Sequence, residues 1–285
     1  MPHITPARVA LLRRLFGCLQ WISPRLAAAR SLQLFLRTYR RPLRPEDAAL
    51  LARARRQRIA MRHGSAVVYE WAAAGPTVII LHGWGSRAAR FTLLAQALHA
   101  RGWRVLAIDA PGHGSASGRS SSLVQFMDCL DAVIHRCGPP QALIGHSLGA
   151  LAIACRFGAA PPEWATAVRT VVLVGMPESA EFLLRKFIQL LALSPATERR
   201  LRARFQARFG QTPQDFASLP GAARIGARLL IMHDRSDDIV PCEHSAQLLA
   251  QLPAAQFVIT EGLGHSALTR DAGTIARIVE FLAWM

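Results

Sequence analysis

No stretch of this 285-residue chain stays apolar long enough to cross a bilayer, although 51% of its residues are hydrophobic. That excludes a membrane-spanning helix and assigns the apolar content to a sizeable buried core. The histidines and cysteines lack Cys-x-x-Cys or His-Glu-x-x-His spacing, so no metal and no other cofactor is expected. Cysteine is sparse. Cys18, Cys129, Cys137, Cys155 and Cys242 leave at least one thiol unpaired, which points to a reducing cytoplasm. Internal repeats are absent, and so are low-complexity stretches beyond alanine-rich helices, which argues against a repeat array. One lysine stands among 34 basic residues, an arginine bias that explains part of the net charge of +16 but not its placement.

That placement is uneven. Residues 1–62 hold 14 arginines against 2 acids, whereas residues 229–285 hold 3 basic residues against 7 acids. The charge marks residues 1–55 as a basic helical arm preceding a second region, 56–285. In the arm Val9, Leu11, Leu12, Leu15, Phe16 and Leu19 interleave with Arg8, Arg13 and Arg14. Such a helix either packs on the rest of the protein or lies on an anionic membrane, with Leu12, Leu15 and Phe16 inserting. Arg13-Arg14 splits the apolar run and speaks against a signal peptide. The expected location is the cytoplasm, with peripheral contact at the inner face of the membrane through the arm. No nucleic-acid-binding motif accompanies the charge, and nucleic acid is not expected as a partner.

The chemistry is concentrated elsewhere. Gly145-His146-Ser147-Leu148-Gly149 follows the apolar run Ala142-Leu143-Ile144 and precedes the helix-forming run Ala150-Leu151-Ala152-Ile153-Ala154. In a strand–turn–helix setting this spacing presents a serine on a sharp turn, before a helix N-terminus whose free amides point at the reacting centre. An acidic loop, Asp234-Arg235-Ser236-Asp237-Asp238, trails the strand-like Arg228-Leu229-Leu230-Ile231-Met232. His265, in Gly264-His265-Ser266, trails the strand-like Gln256-Phe257-Val258-Ile259-Thr260. Serine, acid and histidine in this order, each past a strand end, spell a catalytic triad at the edge of an open sheet. Serine is a weak nucleophile near neutral pH and needs an imidazole to take its proton; the acid orients that imidazole.

With two further motifs the chain resembles the α/β-hydrolase superfamily, over nearly everything from residue 56 onward. His82-Gly83-Trp84-Gly85 after Thr77-Val78-Ile79-Ile80-Leu81 is similar to the superfamily's His-Gly-x loop, and Asp109-Ala110-Pro111-Gly112-His113-Gly114 to its Asp-x-x-Gly-x-Gly turn. The resemblance implies that the backbone amides of Trp84 and Leu148 form an oxyanion hole and that Ser147, Asp237 and His265 are nucleophile, acid and base. Asp237 fits the superfamily's Asp-x-x-Val-Pro pattern ending at Pro241. Asp234 and Asp238 crowd the same loop, and some relatives place the acid after the preceding strand, where Glu178 stands. A nucleophilic aspartate would imply dehalogenase or epoxide chemistry, and none replaces Ser147. Of the other histidines, His82, His113, His146 and His233 read as structural, and Asp109 as a bond to its own turn.

The expected fold is therefore α/β, a mostly parallel twisted sheet with helices on both faces and a small helical cap. A first hairpin spans Gln57 to Trp71, turning at His63-Gly64. The cap is the segment of about 178–227, with a helix starting at Ser194-Pro195 and running through Phe209. Phe182, Leu183 and Phe187 are its candidates for lining an acyl pocket. The function that follows is hydrolysis of a carboxylic ester or thioester of a small-molecule acyl substrate. An acyltransferase or amidase on the same triad is the nearest alternative. A peripheral membrane protein that holds lipid without turnover is the alternative from another class.

Overall fold

Short runs rich in Val, Ile and Leu between glycine or polar turns become strands, because branched side chains suit the pleat and the turns release the chain. The computed structural model describes residues 5–40, 42–158 and 160–283. Its strands are β1 (Arg55–Met61), β2 (Gly64–Trp71), β3 (Thr77–Leu81), β4 (Arg104–Asp109), β5 (Ala142–His146), β6 (Thr170–Val174), β7 (Arg228–Asp234) and β8 (Gln256–Thr260). They form an eight-stranded sheet in the order β1-β2-β4-β3-β5-β6-β7-β8. β2 pairs antiparallel with β1 and β4, while β4, β3, β5, β6, β7 and β8 run parallel. The β1–β2 hairpin pairs Met61 with Gly64, matching the turn expected at that point.

Helices are α1 (Pro6–Ile22), α2 (Pro24–Phe35), α3 (Pro45–Leu51), α4 (Thr92–His99), α5 (Leu123–Cys137), α6 (Leu148–Arg156), α7 (Ala180–Leu191), α8 (Pro195–Phe209), α9 (Ser218–Ala222), α10 (Glu243–Gln251), α11 (Gly264–Ala267) and α12 (Ala272–Ala283). The chain divides into two units, residues 38–178 with 218–285 and residues 1–37 with 179–217. The first holds the sheet. On one face Val78, Ile80, Ile144, Val172 and Leu230 pack with Leu94 and Leu98 of α4 and Ile278 and Phe281 of α12. Their strand neighbours Ile79, Leu81, Leu143, Leu173 and Ile231 point the other way, where α5 and α6 pack together against the sheet and β3, β5 and β6 are buried throughout. All parallel strands therefore end at one edge, and that edge gathers Ser147, the acidic loop and His265.

The second unit differs from the division expected at residue 55. The arm as far as Arg37 associates with the inserted helices, and the insertion belonging to this unit is 179–217, shorter than 178–227. Residues 38–40 belong with the sheet: the Thr38 hydroxyl donates to the Gly112 carbonyl at 2.8 Å and Arg40 to that of Gly118 at 2.9 Å. Asp47 of α3 accepts from Arg270 at 2.8 Å.

Within the helical unit, serine side chains cap three helix starts: Ser23 for α2, Ser179 for α7 and Ser194 for α8, the last with Pro195 in the first turn. Arg13 of α1 donates to the Leu190 carbonyl at 2.9 Å. Gln20 holds the turn between α7 and α8 from both sides, donating to the Ala192 carbonyl at 3.2 Å and accepting from the Ser194 N–H at 2.7 Å. That turn needs holding, because Ala192 adopts a left-handed φ of 51°. Arg202 of α8 grips Glu181 of α7 through two bonds of 2.6 and 2.7 Å.

Candidate active site

β5 ends at His146, and the chain turns so abruptly into α6 that Ser147 takes φ 53° and ψ −120°. A side chain held there costs about 1–3 kcal/mol, a strain that accompanies functional turns. The turn is fixed by the Ser147 N–H donating to the Val174 carbonyl at 2.8 Å. It also requires Gly149, since a Cβ there would stand 2.3 Å from the Leu81 carbonyl oxygen. Ser147 is half-buried between buried neighbours. Leu148 opens α6, so its N–H has no acceptor one turn earlier in the helix.

Asp237 is the acid that meets His265. Its Oδ2 lies 2.6 Å from His265 Nδ1, and its Oδ1 accepts from the N–H groups of Ile239 and Val240 at 2.9 and 2.8 Å. Burial works to raise this carboxyl's pKa, but the bonds from His233, His265 and Val240 outweigh it and hold the group well below the usual carboxylate range. An ionised carboxylate only accepts, so His265 carries its proton on Nδ1 and leaves Nε2 free to take one. Asp238 is exposed, and Glu178 faces His244, whose Nδ1 accepts from the Glu178 N–H at 3.2 Å.

Asp234, undistinguished in the sequence beyond crowding Asp237, ties the acid loop to the histidine loop. Its carboxylate accepts from Gly264 N–H at 2.9 Å, Leu263 N–H at 3.1 Å, Ser236 N–H at 2.9 Å and the Thr260 hydroxyl at 2.7 Å. Its pKa is lowered because these four donors prevail over burial. The sequence shows only that Asp234 follows one strand-like run and Thr260 ends another; the pairing of β7 with β8 brings them side by side.

Buried histidines support the site. His233 receives the Ser245 hydroxyl on Nδ1 at 2.6 Å and points Nε2 at the Val240 carbonyl, 2.9 Å away, and at Asp237 Oδ2, 3.3 Å away. His146 donates from Nε2 to the His265 carbonyl at 2.9 Å, and burial pushes its pKa far down, so it stays neutral. His82 accepts the Ala110 N–H at 3.1 Å and donates to the Gly83 carbonyl at 2.7 Å. His113 stacks edge-on with Trp84 at 5.3 Å, and burial lowers its pKa to about 4. Asp109 accepts from Ser115 N–H and Ala88 N–H, both at 2.7 Å, so it ties its own turn to the segment after the His-Gly loop.

The His-Gly-Trp loop lies against the serine. A Cβ on Gly83 would come within 2.7 Å of Ser147 Cβ, and Trp84 follows directly, half-exposed. The three expected pocket residues lie on α7 in the helical unit. Phe182 is buried with Lys186 over its ring, Leu183 is half-exposed, and Phe187 is buried edge-on against Phe35 of α2 at 5.2 Å. Phe187 thus has a packing contact with the arm. A depression of about 340 Å³ lined by Arg228, Gln256, Arg277 and Phe281 lies at the opposite strand ends, away from Ser147. Among the described residues no group of three His, Cys, Asp or Glu side chains is placed to hold a metal.

Comparison with known proteins bears on the family and the fold. A family profile described as "Alpha/beta hydrolase family" matches residues 78–278. A pimeloyl-[acyl-carrier protein] methyl ester esterase of Aeromonas salmonicida is 30% identical over 196 residues, 67% of each chain. Among solved structures, an esterase of Pyrococcus furiosus is similar at TM-score 0.62 and 17% identity, over 87% of this chain and 97% of its own. A membrane phospholipase A described as a bacterial virulence factor is similar at TM-score 0.63 and 20% identity, over 96% of both chains.

Proposed function

We propose that this chain, which belongs to the alpha/beta hydrolase family and is an esterase-type enzyme, cleaves a carboxylic ester or thioester through an acyl-enzyme on Ser147, with His265 as base and Asp237 as acid. The observation that carries the assignment is the buried 2.6 Å contact of Asp237 with His265 Nδ1, at the sheet edge where Ser147 sits on its strained turn. Ser147 Oγ attacks the substrate carbonyl carbon while His265 Nε2 takes the hydroxyl proton. Negative charge develops on the carbonyl oxygen, and the N–H groups of Trp84 and Leu148 donate to it, contributing about 3–4 kcal/mol each. The intermediate collapses as His265 returns the proton to the leaving alcohol or thiol. Water, deprotonated by the same Nε2, then attacks the acyl ester and releases the acid and Ser147. Asp237 stays ionised throughout and supports the imidazolium formed in both halves.

His146 and Asp234 act through His265. One holds its carbonyl, the other its loop, and neither touches a reacting atom. Since the Aeromonas relative is named for a methyl ester, esters of small alcohols are the substrates to try first. The test is reaction with a fluorophosphonate probe together with turnover of p-nitrophenyl esters of increasing chain length. Wild-type protein should be labelled and active, and Ser147→Ala should lose both while keeping its thermal stability, a loss of several orders of magnitude in turnover. Labelling that persists on another serine would refute the assignment, and labelling without turnover in water would favour acyl transfer to another acceptor.

A further inference from the structure

α1 has two apolar faces, and the helical unit uses only one. Phe16 is buried, Leu12 and Leu19 are half-buried, and Arg13 and Gln20 beside them bond to Leu190 and Ala192 of the same unit. On the other side Leu11 is 57% exposed, Leu15 56%, Trp21 87% and Ile22 71%, and Leu26 at the start of α2 is 44% exposed. Leu11, Leu15, Cys18 and Ile22 fall within about 40° of one line along the helix, with Arg8 and Arg14 about 60° to either side. The residues expected to insert into a membrane are thus corrected in part: Leu12 and Phe16 face the protein, and of that trio only Leu15 faces outward.

We propose that the outward face of α1, comprising Leu11, Leu15 and Ile22 with the exposed Trp21 beside it at the C-terminal end and flanked by Arg8 and Arg14, docks the protein on an anionic lipid surface, with Arg25 exposed at the start of α2. The proposal does not depend on the hydrolytic chemistry. An exposed apolar stripe of this size marks a contact surface, and its charged border selects the partner. Residues 1–45 contain nine arginines and no acid. A second copy of this face would bring arginine against arginine, which disfavours self-association. An acidic soluble partner would satisfy the arginines, but it supplies no acyl layer for the exposed Leu and Ile. A bilayer interface supplies both, with headgroup phosphates for the guanidinium groups and a shallow apolar layer for the stripe. Trp21 at its end is the residue type that favours that depth. No helix among the described residues is long and apolar enough to cross a membrane, so α1 would lie in the interface plane.

The test uses the full chain and flotation with vesicles of phosphatidylcholine alone or mixed equally with phosphatidylglycerol. Binding should require phosphatidylglycerol, and a fraction should resist high salt because the apolar stripe is inserted. Leu11→Ser, Leu15→Ser and Ile22→Ser combined should lower partition about tenfold or more. Arg8→Gln and Arg14→Gln should lower it roughly fivefold each. All these residues are exposed, so hydrolysis of a soluble ester should stay unchanged and serves as the control for folding. In a second measurement, brominated lipid should quench tryptophan fluorescence, and Trp21→Phe should remove the quenched component. The proposal is overturned if the full chain ignores mixed vesicles, if the triple variant binds like wild type, or if the stripe instead drives a concentration-dependent dimer. Ester hydrolysis is read separately, so loss of activity and loss of docking are distinguished.

Discussion

Replacing Asp237 by asparagine changes one atom and reverses the chemistry of its bond to His265. The side chain is fully buried. Its four acceptor contacts are Ile239 N–H and Val240 N–H on Oδ1, and His265 Nδ1 and His233 Nε2 on Oδ2. An asparagine keeps its carbonyl for the two backbone donors, where the geometry fits an oxygen, and must then present its NH₂ to both imidazoles. His265 has to turn Nδ1 into an acceptor, which moves the proton to Nε2 and removes the base from the nucleophile. Turnover should fall about 10⁴-fold, equivalent to about 5.5 kcal/mol of barrier. A donor facing the His233 Nε2–H, together with a lost anion, should also destabilise the fold by about 3 kcal/mol. The assay is steady-state hydrolysis of a p-nitrophenyl ester by Asp237→Asn, Asp238→Asn and Glu178→Gln, with urea denaturation of each. Asp238→Asn and Glu178→Gln should stay within a few-fold of wild type, because Asp238 is exposed and Glu178 faces His244. The reasoning is refuted if Asp237→Asn retains activity within tenfold of wild type, or if either control is the severe variant.

Asp234→Ala should leave Gly264 N–H, Leu263 N–H, Ser236 N–H and the Thr260 hydroxyl without their acceptor. The cost should be about 3–5 kcal/mol in chemical denaturation, with a drop in kcat as the His265 loop loosens. The depressed pKa of Asp234 gives the sign of its pH dependence: its contribution is complete above the unfolded carboxylate value near ~4 and is lost as pH falls through the lower folded value. Stability measured across acid pH should therefore fall less steeply in the variant than in wild type, and equal slopes would count against the clamp. Gln20→Ala should destabilise the turn at Ala192 by about 1–3 kcal/mol, since it strips partners from the Ala192 carbonyl and the Ser194 N–H. Hydrogen exchange at Ser194 is the readout, and unchanged protection there would show that the clamp is dispensable.

What the sequence determined by itself is what depends on neighbours in the chain. The strand runs such as Thr77–Leu81 and Gln256–Thr260 coincide with observed strands, and Ser194-Pro195 opens α8, because pattern, cap and turn chemistry act over a few residues. The Ser147 turn was legible for the same reason, since strand, glycine and helix signals are contiguous. Tertiary structure decided the rest. Three acids crowd residues 234–238, and the spacing alone could not say which oxygen reaches His265. The backbone N–H groups of Ile239 and Val240 orient Asp237, while Asp234 is taken by the loop after β8, some 30 positions away. The arm's partner was equally hidden. Apolar periodicity shows that a helix has faces but not what covers each, and Gln20 meets Ala192 across 172 positions of sequence. Only the assembled helical unit separates the face of α1 carrying Phe16, which is buried, from the face carrying Leu11, Leu15 and Ile22, which is left to solvent.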